Sequence, residues 1–216
     1  MFHEISSQIE STGLIPVITI DEAENVMALG KALVDGGLPT AEVTFRTGAA
    51  PEAIRILCGE CPNLLVGAGT VLSRDKVRQA IQAGAQFIVT PGFNEYVVEY
   101  CLQENVPVFP GVCTPTEIEF ALRKALSVLK VFPAEAIGGV PYLKAISAPY
   151  SEVRFIPTGG IDSHNLNEYL SLPTVIACGG SWMVSPDLLA AKRFNEITRR
   201  VGEAVELVRR IREGKT

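Results

Sequence analysis

A lysine stands in the middle of an apolar, β-branched run, Val128-Leu129-Lys130-Val131-Phe132-Pro133. Side chains alternate along an extended chain, so Val128, Lys130 and Phe132 share one face. Two readings are open for such a lysine. It can carry its ammonium out to solvent or onto an acid. Or it is held away from water, which favours the neutral amine, the form that attacks a carbonyl carbon. A second run is as unusual. In Ala41-Glu42-Val43-Thr44-Phe45-Arg46, apolar Ala41, Val43 and Phe45 alternate with polar Glu42, Thr44 and Arg46. Glu42 and Arg46 could pair with each other. Four residues of extended chain span roughly 13 Å, however, so they are better placed to address different parts of one ligand.

The rest of the inventory is narrow. The only histidines are His3, near the N-terminus, and His164. No His/carboxylate metal site can be assembled from strand ends, and neither a Ser–His–Asp triad nor the hydrolase elbow G-x-S-x-G is present. Proton transfer would therefore fall to a carboxylate, and Glu42 is the only acid inside a predicted strand. Two glycine pairs close late strands, Pro157-Thr158-Gly159-Gly160 and Cys178-Gly179-Gly180-Ser181. Glycine lets backbone N–H groups approach an anion, and barrel phosphates bind at the last two strand ends, although glycines also end strands for steric reasons. Gly67-Ala68-Gly69-Thr70 reads as close packing plus one hydroxyl facing the site. No P-loop or dinucleotide fingerprint occurs.

These residues need a scaffold. Eight short β-rich runs recur: Ile15–Ile20, Ala41–Phe45, Leu64–Gly69, Phe87–Pro91, Val106–Gly111, Val128–Pro133, Arg154–Gly159 and Thr174–Gly179. All but the first two end in Gly or Pro, as strands buried on both faces do. Amphipathic stretches separate them. Asp21-Glu22-Ala23 opens one, with Val26, Leu29, Ala32 and Leu33 as its stripe. Ser73-Arg74-Asp75 opens another, ended by Gly84. Thr114-Pro115-Thr116-Glu117 offers a cap, and Asp162-Ser163 opens the seventh. The last helix is expected from about Asp187 to Arg212 with a break. The pattern predicts an α/β fold, a (β/α)8 TIM barrel in a single domain over residues 1–216. An open doubly wound sheet is the rival, but the first strand runs into Thr19-Ile20-Asp21-Glu22 without a glycine fingerprint.

Composition narrows the partners. A net charge of -5 leaves no basic excess for nucleic acid. No apolar run is long enough to span a membrane, and the N-terminus lacks a secretory pattern, so a cytoplasmic location is expected. The five cysteines are odd in number and read as free thiols; Cys58-Gly59-Glu60-Cys61 is a lone C-x-x-C without the second pair a zinc ribbon needs.

Six segments occur in a telling order: Glu42-Val43-Thr44-Phe45-Arg46-Thr47, Val66-Gly67-Ala68-Gly69-Thr70-Val71, Pro110-Gly111, Lys130-Val131-Phe132-Pro133-Ala134-Glu135, Pro157-Thr158-Gly159-Gly160-Ile161 and Gly179-Gly180-Ser181-Trp182. Together they resemble the bacterial 2-keto-3-deoxy-6-phosphogluconate (KDPG) aldolase family, which includes 4-hydroxy-2-oxoglutarate (KHG) aldolase activity. The likeness covers nearly the whole chain. The K-x-F-P-A-E segment is its specific part.

The resemblance implies a class I aldolase in which Lys130 forms the Schiff base and Glu42 is the general acid/base. It implies that Arg46 and Thr70 hold the substrate carboxylate and that Phe132 packs beside the imine. Thr158, Gly159, Gly160, Gly180 and Ser181 would line the phosphate end, with Pro91 between. Val131 stands where relatives carry an aromatic, and its side chain should face away from Lys130. The implied substrate is a keto acid phosphate, KDPG, cleaved to pyruvate and glyceraldehyde 3-phosphate, alongside KHG, cleaved to pyruvate and glyoxylate. No metal or other cofactor is implied, and the implied assembly is a homotrimer. The alternatives are the galactonate-specific aldolase of the same family, a phosphosugar isomerase barrel, and a non-catalytic barrel that binds anions.

Overall fold

The structure, a computed structural model, describes residues 2–214. Strands and helices alternate: α1 (Phe2–Thr12), β1 (Leu14–Ile18), α2 (Val26–Asp35), β2 (Thr40–Thr44), α3 (Ala50–Glu60), β3 (Leu65–Gly69), α4 (Arg74–Gln82), β4 (Phe87–Val89), α5 (Glu95–Gln103), β5 (Val108–Phe109), β6 (Gly111–Val112), α6 (Pro115–Arg123), β7 (Val128–Val131), α7 (Gly139–Ser147), β8 (Arg154–Pro157), α8 (Leu166–Leu170), β9 (Cys178–Gly180), α9 (Pro186–Ala190) and α10 (Phe194–Glu213). Every ladder is parallel, in the orders β5-β4-β3-β2-β1-β9 and β6-β7-β8. The result is a curled α/β architecture. At one seam Pro110 separates β5, which pairs with β4, from β6, which pairs with β7. At the other seam, isolated bridges, Phe155–Val175 and Thr158–Gly179, link the β8 and β9 segments at residues just outside one strand or the other.

The expected fifth strand is thus two pieces. Proline has no N–H to give a ladder, although Pro110 still accepts from Lys130 N–H at 3.0 Å. The eighth expected run is largely loop, with regular pairing only at Cys178–Gly180.

Helix starts follow local chemistry where a cap exists. Ser73 and Thr114 accept from the N–H groups of Lys76 and Glu117. Glu117 reaches back to accept from Cys113 N–H at 2.9 Å and from the Thr114 hydroxyl at 2.8 Å, so cap and acid hold each other. Elsewhere the expected starts move. Asp21-Glu22 does not cap a helix; a 3-10 turn, Ala23–Asn25, comes first, and α2 begins at Val26 with the expected stripe buried. Asp162 accepts from His164 N–H at 2.8 Å, which makes a turn rather than a cap and delays α8 to Leu166. The expected break in the last helix falls between α9 and α10, where Lys192 has a φ of 53°.

Two cores result. The larger joins strands to the surrounding helices and takes Ala41, Val43, Phe45 and Val131. Val131 therefore faces away from the interior, as expected. The smaller fills the interior with Ile15, Leu65, Phe87, Val89, Phe109, Val128 and Ile156, closed below by Ile5 and Ile9 of α1. The segment around His3 is thus a helix sealing the N-terminal ends of the strands. Arg212 of α10 holds its end, donating to Ser11 O at 2.7 Å, where helix carbonyls lack partners.

All five cysteines are free. Cys58 donates to Gly84 O at 3.2 Å, and burial pushes its thiol up to about 11. A thiol held protonated does not serve a redox motif. Among the described residues no helix is long and apolar enough to cross a membrane.

Candidate active site

The alternation of β7 turns Val128, Lys130 and Phe132 inward. Val128 joins the interior core below, and Lys130 lies one layer above it with only 6% of its surface exposed. On β2, Glu42 points into the same layer and is 2% exposed. The two side chains meet 88 residues apart in sequence, with Nζ to Oε1 at 3.3 Å. Nζ also lies 5.4 Å from the centroid of the Phe132 ring. The carboxylate has room because β3 places Gly69 opposite it; a Cβ there would overlap Glu42 Oε1. Thr70 follows with a φ of 55°, a region strained for threonine, and such strain gathers at ligand sites.

Above the pair opens a cleft of about 220 Å³ at the C-terminal ends of the strands. Arg46, Phe132, Thr158, Gly159, Gly160, Gly180 and Ser181 line it, together with Gly179, Val17, Thr19, Ile161, Val184 and Pro186. Phe132 connects the levels, one side of its ring on the cleft and Nζ of Lys130 nearby. Both glycine pairs therefore meet in one cleft, bridged through Thr158 and Gly179. Gly159 and Gly160 have φ of 103° and 79°, and Gly160 and Ser181 lie past the ends of β8 and β9. Arg46, exposed just beyond β2, forms no hydrogen bond or ion pair with another described residue and lines the same cleft. Glu42 pairs with Lys130, not with Arg46.

Lys130, Glu42, Thr70 and Pro91 do not themselves line this cleft; Phe132 is the lining residue next to the pair. Thr70 sits beside Glu42 through Gly69, and the Pro91 backbone packs so closely on Gly111 that a Cβ there would overlap it. Thr19 went unmarked in the sequence. Its hydroxyl lies 3.0 Å from that of Thr44, which donates in turn to Ile18 O. Its one signal is a hydroxyl just past the end of an apolar strand, too common to single out. Lys144 is exposed on α7, outside the cleft.

A buried amine against a carboxylate, beneath a cleft with an arginine and two glycine turns, can do covalent carbonyl chemistry on an anionic substrate. Known proteins agree. A model of the KDPG and KHG aldolase family matches residues 5–200. The 2-dehydro-3-deoxy-phosphogluconate aldolase of Treponema pallidum is 47% identical over 204 residues, covering 94% of this chain and 97% of its own. The KHG/KDPG aldolase of Escherichia coli is 43% identical over 202 residues, covering 93% and 95%. Among solved structures, a KDPG aldolase from Legionella pneumophila with pyruvate captured as a covalent carbinolamine superposes with a TM-score of 0.89 at 37% identity, over 92% of this chain and 97% of that one. On this sequence and this arrangement, the chain belongs to the KDPG and KHG aldolase family.

Proposed function

We propose that the chain is a class I aldolase that cleaves KDPG to pyruvate and glyceraldehyde 3-phosphate, and KHG to pyruvate and glyoxylate, through an imine on Lys130. The observation that carries this reading is the buried Lys130–Glu42 pair at 3.3 Å. A buried ion pair stabilises a fold poorly, and apolar residues of like volume often serve as well or better. Two charged groups in one interior layer therefore answer to chemistry. The two curled ladders read as one (β/α)8 barrel in a single domain, since residues 108–112 lie between β4 and β7 and bridges link β8 to β9. We place it in the cytoplasm, as the lack of a secretory pattern in the sequence leads us to expect, and as a homotrimer on the family resemblance.

The neutral amine of Lys130 attacks the C2 ketone to give a carbinolamine, and loss of water gives a protonated imine. That cation draws electrons from the C3–C4 bond. Glu42 takes the C4 hydroxyl proton as the bond breaks, leaving an aldehyde and an enamine. Protonation at C3 and hydrolysis release pyruvate and restore the amine. Arg46, with its forked guanidinium, and Thr70 hold the carboxylate, Phe132 packs beside the imine, and Pro91 lines the site between the imine and the phosphate end. Thr158, Gly159, Gly160, Gly180 and Ser181 take the phosphate.

The test is reductive trapping. Pyruvate with borohydride should add one pyruvyl-derived mass to the protein, on the peptide that carries Lys130. An unmodified protein, or label on Lys144, would overturn the mechanism. Because the imine itself is the electrophile, activity should survive exhaustive EDTA; loss restored by a divalent ion would argue for metal-assisted cleavage.

The phosphate assignment has its own test. Gly180 is the wrong site for an added charge, because a Cβ there would run into the Trp182 ring. Ser181 is exposed and lines the cleft. Ser181→Asp should lower kcat/KM for KDPG by about 100-fold or more, through repulsion between two anions. KHG has no phosphate and should change little. An equal fall on both substrates would show that the glycine turns serve only the fold.

A further inference from the structure

One group near the cleft has no part in the mechanism above. Tyr169, on α8, is fully buried, and its hydroxyl donates to Glu135 Oε1 across 34 residues. Glu135 closes the segment Lys130-Val131-Phe132-Pro133-Ala134-Glu135. Its backbone N–H donates to Gly159 O at 3.0 Å, and Ala134 N–H donates to Thr158 O at 2.8 Å. The loop after β7 is thus laced to the loop after β8. The contact is close: a Cβ on Gly160 would come within 2.6 Å of Glu135 Cβ. Asn165, just before α8, also donates to Gly160 O at 3.0 Å.

Resting on the functional reading above, we infer that Tyr169 and Glu135 are positioning residues for anion binding: their hydrogen bond braces the Thr158-Gly159-Gly160 turn so that the N–H groups of Gly159 and Gly160 face the substrate phosphate, while Thr158 N–H stays bonded to Val131 O. Three chain segments meet at this bond: the loop that follows Lys130, the glycine turn, and the helix that continues from that turn. Gly159 and Gly160 have the weakest conformational preferences of any residues. Left alone, such a turn samples many orientations, and ordering it on binding would weaken affinity. A carboxylate accepting from a buried hydroxyl is a charge-assisted bond, stronger than a neutral one. Burial first, and then the Glu135 carboxylate, push the Tyr169 phenol above its ordinary value, so it remains a donor throughout the working pH range.

The brace acts on binding at the phosphate end and leaves the reacting carbon alone. Tyr169→Phe keeps the buried ring and removes only the hydroxyl. It should raise KM for KDPG about tenfold with kcat nearly unchanged, and leave both constants for KHG nearly unchanged. Glu135→Gln keeps an acceptor oxygen but loses the charge, so its KM for KDPG should fall between wild type and Tyr169→Phe, whereas Glu135→Ala should match Tyr169→Phe. Inorganic phosphate supplies a readout independent of catalysis: by calorimetric titration its Kd should rise about tenfold in Tyr169→Phe. Unchanged phosphate affinity in the variant, no phosphate binding by wild type, or a matching loss on KDPG and KHG would each overturn the brace. Failure of wild type to trap pyruvate would instead overturn the aldolase reading, and the phosphate titration would still decide for or against the brace.

Discussion

Lys130→Ala is expected to remove aldol cleavage, with kcat falling on the order of 10⁶-fold, the scale on which loss of a covalent nucleophile acts. Alanine has no amine, so neither carbinolamine nor imine can form, and the C3–C4 bond loses its electron sink. Borohydride with pyruvate should label wild type and leave the variant unmodified. The structure adds a consequence for stability. Glu42 is 2% exposed and has Lys130 as its ion-pair partner. Removing the lysine strands a carboxylate in the interior, a change that typically costs about 3–5 kcal/mol unless the acid protonates. Lys130→Met with Glu42→Gln removes both charges and should melt nearer to wild type than Lys130→Ala. Label or turnover persisting in folded Lys130→Ala would move the imine to another lysine and end the mechanism proposed here.

Each half of that pair was legible by itself. A lysine inside an apolar run and an acid on the polar side of an alternating strand are marked by their settings. Their meeting was not legible, because it depends on how β2 and β7 face each other across the interior, and the two residues are 88 apart in the chain. The positions of the strands could be read from β-branched runs ending in Gly or Pro. Their pairing lengths could not. Pro110 divides one run by withholding an N–H, and Thr174–Gly179 looks like a strand although only its end is laddered.

Helix α1 was hidden for a different reason. Phe2, Ile5 and Ile9 are the only large apolar residues in its eleven, a stripe too thin to stand out. The helix is held by burying that stripe against the interior core, a tertiary effect that local pattern does not carry. Asp162 shows the converse. Its side chain has the chemistry of a cap but bonds His164 N–H in a turn. At the site, the glycine pairs were marked by their place at strand ends and Arg46 by the alternation of its strand. Thr19 and Tyr169 were not, because one hydroxyl near a strand end and one tyrosine on a short helix resemble many others. What distinguishes them is a partner, Thr44 for one and Glu135 for the other.

Glu42→Gln is expected to lower kcat for KDPG by about 10²–10⁴-fold, the usual weight of a general base, with a much smaller effect on KM. The substitution suits the site. Glutamine matches glutamate in shape, so it fits the space that Gly69 leaves open, and its amide oxygen can still accept from Lys130 Nζ. What it loses is the ability to take the C4 hydroxyl proton as the C3–C4 bond breaks. The substrate binding proposed for Arg46 and the glycine turns should be untouched by that loss. The imine should still form, so pyruvate and borohydride should still label the variant, though more slowly, because dehydration of the carbinolamine also needs a proton transfer. The combination of a trapped imine and a collapsed turnover separates the base from the nucleophile, which Lys130→Ala cannot do. Steady-state kinetics on KDPG, with mass spectrometry of the trapped protein, reads both quantities. Near-normal turnover would reduce Glu42 to an ion-pair partner of Lys130 and require another group to carry the proton.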